Sequence, residues 1–587
     1  MRSTSRVAFS VLILLAFLAG AGCSNRDYPC GNGLLESFEA CEGDFLRNET
    51  CLSLGYNSGQ LACRDNCTLD TSGCSQIKLC EPACDLTLCE TCINGTCTSY
   101  CRAGEVCEAG TCEVDGIPLR LFFTADEHGW LFSGWSDDGN VFYGGAAELM
   151  TLMRERGYDP NENNSLLLSD GDMWTGPAIS TWYKGESVVE VMNAMGYSAA
   201  AIGNHEFDFG QDVLLQRSQE ADFPFLAANL RDEVSGDPPA YARNYIVEEV
   251  NGVQVGIIGL TLDGLPYLVC SDNLEGLVET GYEQALRETV PLARADGAQV
   301  VIVISHICPD DLMELTRLAA ELDIDLMTAG HCHSTFVDER YGVLVVSPGA
   351  SMVKFAQVDM IVNPVTFKVV SKEAEVVENY YYAPDPVVPD PDPAIQSIVD
   401  FWLEQVEQDL GEVIGYTQTG IDGWAMYNMT VDSFLMALPE ADLAVVNTTG
   451  FRSSYSPGDI TIAHTVSVQP FENYLVVLEL TGAQIVRAFE YFYWPQALAG
   501  ALVDKSGART IVSINGGPIN PASTYRLVTI DYLLCQPDYF PFDVPPESVT
   551  FTDLHWRQTT EDWIRAQESA GDDPLEDFLD PTPRWVD

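Results

Sequence analysis

The chain has 587 residues, 46% of them apolar, and a formal net charge of −58. That length exceeds one ordinary domain, and the apolar content excludes global disorder. The charge excludes surface binding of a DNA or RNA duplex, because no basic stripe opposes phosphate repulsion. It fits an exported body in ion-screened surroundings, and an anionic substrate would need cations close to the reacting atoms.

The first residues, MRSTSRVAFSVLILLAFLAGAGC, set two arginines before an apolar run from Val7 to Leu18, then small residues. The run is shorter than the ~20 residues of a bilayer span and has the order of a secretory signal. AGAGC, ending at Cys23, has the form of a bacterial lipoprotein processing site, with Gly20 where such sites usually carry leucine. Ordinary signal-peptidase cleavage nearby is the alternative. Residues 1–23 are expected to direct the chain to the cell envelope, lipid-anchored at Cys23 or free in the periplasm or outside. Fifteen of the 19 cysteines lie from Cys23 to Cys112. With Cys23 lipidated an even number remains, which predicts a disulfide-stapled module over 24–117. A zinc module is disfavoured because no histidine precedes His128. The stretch CLSLGYNSGQLACRDNCTLDTSGC is similar to Cys-rich repeats of exported bacterial proteins and reads as a spacer, with adhesion as the alternative.

From Leu119 short apolar runs each end in a polar cluster. LRLFF precedes TADEHG, SLLL precedes SDGD and SAAAI precedes GNHEFD. AQVVIVI precedes SHI, IDLM precedes TAGHCH and GVLVV precedes SPGA. Such runs, bounded by turn formers, predict buried strands. GGAAELMTLMRERG and YEQALRETVPLARADG between them have helical periodicity. Alternating strands and helices predict an α/β domain, with ligands beyond the carboxyl ends of the strands, where the polar clusters fall. YYYAPDPVVPDPDPA, residues 380–394, predicts an extended linker. IQSIVDFWLEQVEQDLGEV predicts an amphipathic helix with Ile395, Ile398, Phe401, Trp402 and Val406 on one side. Residues 411–587 predict a second α/β domain with ADLAVVN, YLVVLELTG and YRLVTIDYLL as strands.

Of the seven histidines, His128, His205, His306, His331 and His333 fall in or directly after these clusters, together with Asp126, Asp172 and Asn204. A lone histidine is usually a core or surface residue. Five at strand ends, with two carboxylates and an amide, suit a pair of divalent cations bridged by a carboxylate. Nitrogen and oxygen donors fit zinc, manganese or iron without choosing among them. TAGHCHSTF, residues 328–336, read as extended chain, would place His331 and His333 on one face and Cys332 on the other.

The order DEHG, GD, GNHEFD, SH, GHCH is similar to that of the calcineurin-like binuclear metallophosphoesterases. GNHEFD followed by FPFLAAN resembles the secreted bacterial 5′-nucleotidase family, and the likeness covers about residues 118–545. It implies a four-layer metallophosphoesterase β-sandwich flanked by helices over 118–383. A linker and connecting helix would follow over 384–410, then an α/β substrate-binding domain over 411–587. It further implies Asp126, His128 and His333 on one metal, Asn204, His306 and His331 on the other, and Asp172 between them. His205 would not be a ligand; it would stabilise charge on the phosphate or protonate the leaving oxygen, oriented by Asp208. Metal-activated hydroxide attack on phosphorus would hydrolyse a nucleotide or related phosphate ester.

In the second domain Asn447 and Arg452 match the ends of the family's Asn-Gly-Gly-Gly-x-Arg segment, with Thr448 and Thr449 replacing glycines. Phe471 and Asn473 match Pro-Phe-x-Asn. Tyr532 and Asp538 keep the spacing of a further motif, in which Gln536 and Pro537 replace a glycine pair. The resemblance implies an Arg452 fork on phosphate or carboxylate and a nucleobase stacked between Phe471 and Tyr532. The basic residues that several members carry before this region are missing from TQTGIDGWAMYNMT. A hinge at the linker would bring this pocket over the metals. A Cys308–Cys332 disulfide is one expectation for the two cysteines nearest the histidines. Nucleotide-sugar pyrophosphatases, 2′,3′-cyclic phosphodiesterases and thiosulfohydrolases share this fold; a surface adhesion protein with a vestigial enzyme domain is the alternative of another class.

Overall fold

A computed structural model describes residues 116–507, 509–536, 539–541 and 544–586, with short segments from Cys41 to Val114. The leader with Cys23, much of the Cys-rich module and Asp538 lie outside the described residues. The chain forms two compact units that divide between Asp115 and Gly116. In the first, Cys41–Cys63 and Cys51–Cys74 are disulfides. Glu90–Ile93 pairs with Thr96–Ser99, and Glu105–Glu108 with Thr111–Val114, as antiparallel hairpins.

The second unit begins with twelve principal strands. In chain order they are β1 (Ile117–Thr124), β2 (Ser165–Ser169), β3 (Ala199–Ala201), β4 (Phe225–Leu226), β5 (Tyr245–Val250) and β6 (Val253–Leu260). They continue as β7 (Val300–Ser305), β8 (Leu326–Thr328), β9 (Thr335–Arg340), β10 (Val343–Pro348), β11 (Lys354–Val362) and β12 (Val369–Glu378). One sheet has the order β4-β3-β2-β1-β11-β12 and the other β5-β6-β7-β8-β10-β9. β1 to β4 run parallel, as do β6, β7, β8 and β10.

The two-residue side-chain period of a strand explains why both faces are apolar. Leu119, Leu121 and Phe123 of β1 meet Val300, Ile302 and Ile304 of β7 in the core between the sheets. Phe122 faces outward onto α1 (Ala146–Glu155) and α2 (Glu186–Met195), while Val301 and Val303 face α3 (Tyr282–Ala295) and α4 (Pro309–Glu321). The result is helix, sheet, sheet, helix, four layers with all three interfaces dry. The parallel strands of both sheets deliver their carboxyl ends to the same rim.

Asp392 caps the connecting helix α5 (Pro393–Leu410) by accepting from the N–H groups of Ala394 and Ile395. The helix is present, but its buried face differs from expectation. Ile395, Val399, Trp402 and Leu410 are buried, whereas Phe401 is 49% exposed. A step of 3.6 residues from Ile395 reaches 399 and 402 and leaves 401 a quarter-turn from Trp402; the indole of Trp402 packs against the Tyr183 ring at a tilt of 54° and donates to Glu190.

The second domain is a five-stranded sheet built from β13 (Leu443–Asn447), β14 (Tyr474–Thr481), β15 (Gln496–Ala499), β16 (Thr524–Ile530) and β17 (Val549–His555), in the order β15-β13-β16-β14-β17. YRLVTIDYLL is not one strand. β16 stops at Ile530, and Asp531–Cys535 is a short helix whose Asp531 carboxylate accepts from the N–H groups of Tyr474 and Tyr532. Cys535, at its end, is joined by a disulfide to Cys270 of the first domain. This cross-link joins the two domains at a second point besides the connecting chain.

Ile395→Ala should lower stability by about 2–5 kcal/mol in chemical denaturation, whereas Phe401→Ala should stay within about 0.5 kcal/mol of wild type.

Candidate active site

The polar clusters meet on the common rim. The Oδ1 of Asp126 accepts from His331 N–H at 2.9 Å and lies 3.4 Å from His333 Nε2. His128 faces the carbonyls of Trp174 and Thr175 through Nδ1, at 3.3 and 3.1 Å. Carbonyls only accept, so Nδ1 carries the proton and Nε2 presents its lone pair, 3.1 Å from His333 Nε2. Two nitrogens at that distance match an edge of about 3.3 Å in a tetrahedron of ~2.0–2.1 Å metal–nitrogen bonds.

On the other side, His306 donates from Nδ1 to the Asp170 carbonyl at 2.9 Å, and its Nε2 lies 3.0 Å from Asp172 Oδ2. The His331 ring packs edge-on to His306 at 5.2 Å. Donor atoms of Asp126, His128 and His333 come within 4.8 Å of one another, as do those of Asp172, His306 and His331. Asp126 Oδ2 and Asn204 Oδ1 are buried without a hydrogen-bond partner. Orphaned buried lone pairs are costly, and a pair of divalent cations would satisfy both. The residues present therefore fit the metals that the sequence implies.

Charge points the same way. Burial and the neighbouring His306 push His331 down to about 4, and burial also holds His128 and His333 below the ordinary imidazole value. These three are neutral, the state a metal ligand requires. Burial opposes charge on His306 as well, but Asp172, Asp126 and Glu206 overcome it and raise His306 to about 10. The carboxylates of the cluster draw in a cation, and an imidazolium supplies it.

The backbone is bent wherever a donor must turn inward. Asp126, His128, Asp172, His331 and His333 have φ between 45° and 69°, left-handed values that non-glycine residues rarely adopt. The extended reading of TAGHCHSTF is corrected accordingly. β8 ends at Thr328, and His331 and His333 lie in a turn. Cys332 forms a disulfide with Cys308 beside the cluster. Gly203 is required by close approach, since a Cβ there would sit 2.2 Å from Asp172 Oδ1.

His205 stands at the mouth. Its Nδ1 is 2.7 Å from Asp208 Oδ2, and Arg452 of the second domain donates to its Nε2 at 3.2 Å. The Phe471 ring stacks on it at 5.8 Å and 27°, under the Arg452 guanidinium, 5.2 Å away. His205 also groups with His128 and Asp172 within 4.8 Å. Burial opposes its charge, and Asp208 and Asp172 overcome that, lifting its pKa. Tyr532 donates to the Leu268 carbonyl at 3.4 Å and makes no described ring contact with Phe471. Asn447, at the end of β13, bonds to Thr449 and leaves its Oδ1 buried without a partner. No described contact joins Asn473 to the cluster.

The family model for calcineurin-like phosphoesterases matches residues 119–335, and that for the 5′-nucleotidase C-terminal domain matches residues 413–542. Residues 119–335 are therefore a calcineurin-like phosphoesterase domain and residues 413–542 a 5′-nucleotidase C-terminal domain. Protein UshA of Escherichia coli is 25% identical over 486 residues, 72% of this chain and 86% of that one. The trifunctional nucleotide phosphoesterase protein YfkN of Bacillus subtilis is 27% identical over 495 residues, 71% of this chain, but the chain spans only 32% of its length. The 5′-nucleotidase precursor of Thermus thermophilus shares the fold, with a TM-score of 0.67 at 22% identity over 80% of this chain and 99% of that one.

The phosphoesterase cluster also depends on residues that its motifs did not single out. Glu206, buried within GNHEFD, accepts from the N–H groups of Asp172, Met173 and Gly203 at 2.6–2.9 Å. It ties the loop after β2 to the loop after β3 and so sets where Asp172 meets Asn204. Glu127 accepts from Thr124 and Ser169, and Asp170 from Ser305 and Thr328, bracing the ends of β1, β7 and β8. Their signal in the sequence is an acid beside each ligand-type residue, which spacing alone cannot distinguish from a ligand. Glu206→Gln replaces one acceptor oxygen by a donor that faces N–H groups. It should lower affinity for a divalent cation about 10–100-fold, read by metal titration of the purified protein, with the fold retained in circular dichroism.

Proposed function

We propose that this chain is an exported, metal-dependent phosphoesterase that hydrolyses nucleotides. The observation that carries the reading is the meeting of the two domains. Arg452 and Phe471 stand against His205 at the edge of the Asp and His cluster. Such a site has a place for phosphate between the cluster and a guanidinium, and beside it an aromatic face for a base. The family models and the names of YfkN and the Thermus protein support the same class. The Cys-rich module, the disulfides and the apolar leader support export.

In this proposal Asp126, His128 and His333 would hold one divalent cation and Asn204, His306 and His331 the other, with Asp172 serving both. Bound divalent cations supply Lewis acidity toward a phosphoryl oxygen and make hydroxide available near neutral pH. The protein's own groups do the rest. Arg452 presents a fixed charge to a phosphate oxygen, and its pairing with His205 places that charge where the imidazole can also reach. Asp208 accepts from His205 Nδ1–H and so fixes the tautomer, leaving Nε2, to which Arg452 donates, as the atom that can take up a proton and pass it to the leaving oxygen. Phe471, stacked on His205, borders the space for the base.

The test is a substrate panel on the purified chain with manganese or zinc. Nucleoside monophosphates should be turned over, and chelation should abolish the activity. Absence of turnover across nucleotides, nucleotide sugars, cyclic nucleotides and simple esters would overturn the proposal and favour the binding-protein alternative. His205→Gln should retain the metal content measured by elemental analysis and lose about 10²–10⁴-fold in kcat. Loss of metal in that variant would make His205 a ligand instead.

A further inference from the structure

The loop that carries Phe471 and Asn473 runs from Gln469 to Asn473, between α6 (Ile462–Val468) and β14. It has no regular structure, yet Phe471 must stand at a fixed place against His205 and Arg452. Its peptide groups are held from elsewhere. Trp556 donates from Nε1 to the Phe471 carbonyl at 2.7 Å and from its backbone N–H to the Asn473 carbonyl at 3.0 Å. Arg557 donates to the Gln469 carbonyl at 3.1 Å and to the Glu472 carboxylate at 2.8 Å. Both side chains are buried at the start of α7 (Trp556–Ala566), 85 to 88 positions along the chain from the groups they bind. The same indole packs edge-on against Phe451 at 5.7 Å, next to Arg452.

We infer that Trp556 and Arg557 are positioning residues that set the spacing between the phosphate-facing Arg452 and the base-facing Phe471, and so select substrates carrying a base. The inference rests on the nucleotide reading above. No described contact joins Trp556 to the Asp and His cluster. It contacts one substrate-facing segment through its ring and the other through its N–H groups, which makes it the common reference for both. A buried carbonyl left without its donor relaxes, and displacement of a binding group by about 1 Å is enough to cost large factors in turnover.

The test uses the metal-loaded full chain and Trp556→Phe, which keeps an aromatic ring and removes the donor together with part of the packed indole. kcat/KM for AMP should fall about tenfold, mainly through KM, while that for p-nitrophenyl phosphate stays within about twofold of wild type. Arg557→Met should act in the same direction, and Arg557→Lys, which keeps the ion pair with Glu472, should recover part of the loss. Hydrogen exchange should accelerate in residues 469–474 and not around Asp126 or Asp172. Unchanged exchange in 469–474 would overturn the clamp whatever the substrate. Equal loss on both esters would overturn its role in selection. Wild-type protein that turns over the simple ester but not AMP would instead sink the nucleotide reading, and the exchange measurement would still decide the clamp.

Discussion

Everything at this rim depends on packing negative charge into a dry place. Asp126, Glu127, Asp170, Asp172 and Glu206 are all at most 2% exposed, at the ends of strands whose faces are filled by aliphatic side chains. Isolated buried carboxylates are costly, so each must find N–H donors, a proton or a cation. Glu127, Asp170 and Glu206 take hydroxyl or backbone donors. Asp172 draws on the neighbouring imidazoles, and Asp126, like Asp170, keeps one oxygen without a partner.

The bends at Asp126, His128, Asp172, His331 and His333 belong to the same constraint. A strand that simply ended in β geometry would send alternate side chains to opposite faces. Left-handed residues just past the strand ends turn successive donors toward one point instead. Such conformations persist only where the surroundings over-determine them, and here the N–H bonds to Glu206 and the carbonyl contacts to His128 and His306 do so.

The second domain contributes through long-range ties. Arg452 reaches His205, and the Cys270–Cys535 disulfide spans the two domains beside Tyr532. The −58 charge of the chain makes this arrangement consequential, because an anionic substrate meets repulsion until it is close to Arg452 and the rim. A domain held in contact keeps that one guanidinium where its field is least screened.

Much of this was legible in the sequence. Apolar runs ending in polar clusters marked β1, β2, β3, β7, β8 and β10, since buried parallel strands need continuous apolar residues and ligands gather at their ends. Six of the seven residues read as ligands, all but Asn204, fall in overlapping donor groups for the same reason. What period and spacing cannot show is the shape of a turn. The left-handed His331–His333 bend, the end of β16 at Ile530 and the choice of Val399 over Phe401 were each decided by tertiary partners. So was the role of Glu206, which lies next to His205 in sequence yet serves Asp172, because only the packed loops reveal which N–H groups lack an acceptor. The sequence by itself determined most element types and the donor inventory, which follow from local polarity, while the four-layer arrangement was what the family resemblance implied. Tertiary structure alone decided which donors meet, which carboxylates are satisfied and which cysteines pair, because those depend on distances between segments far apart along the chain.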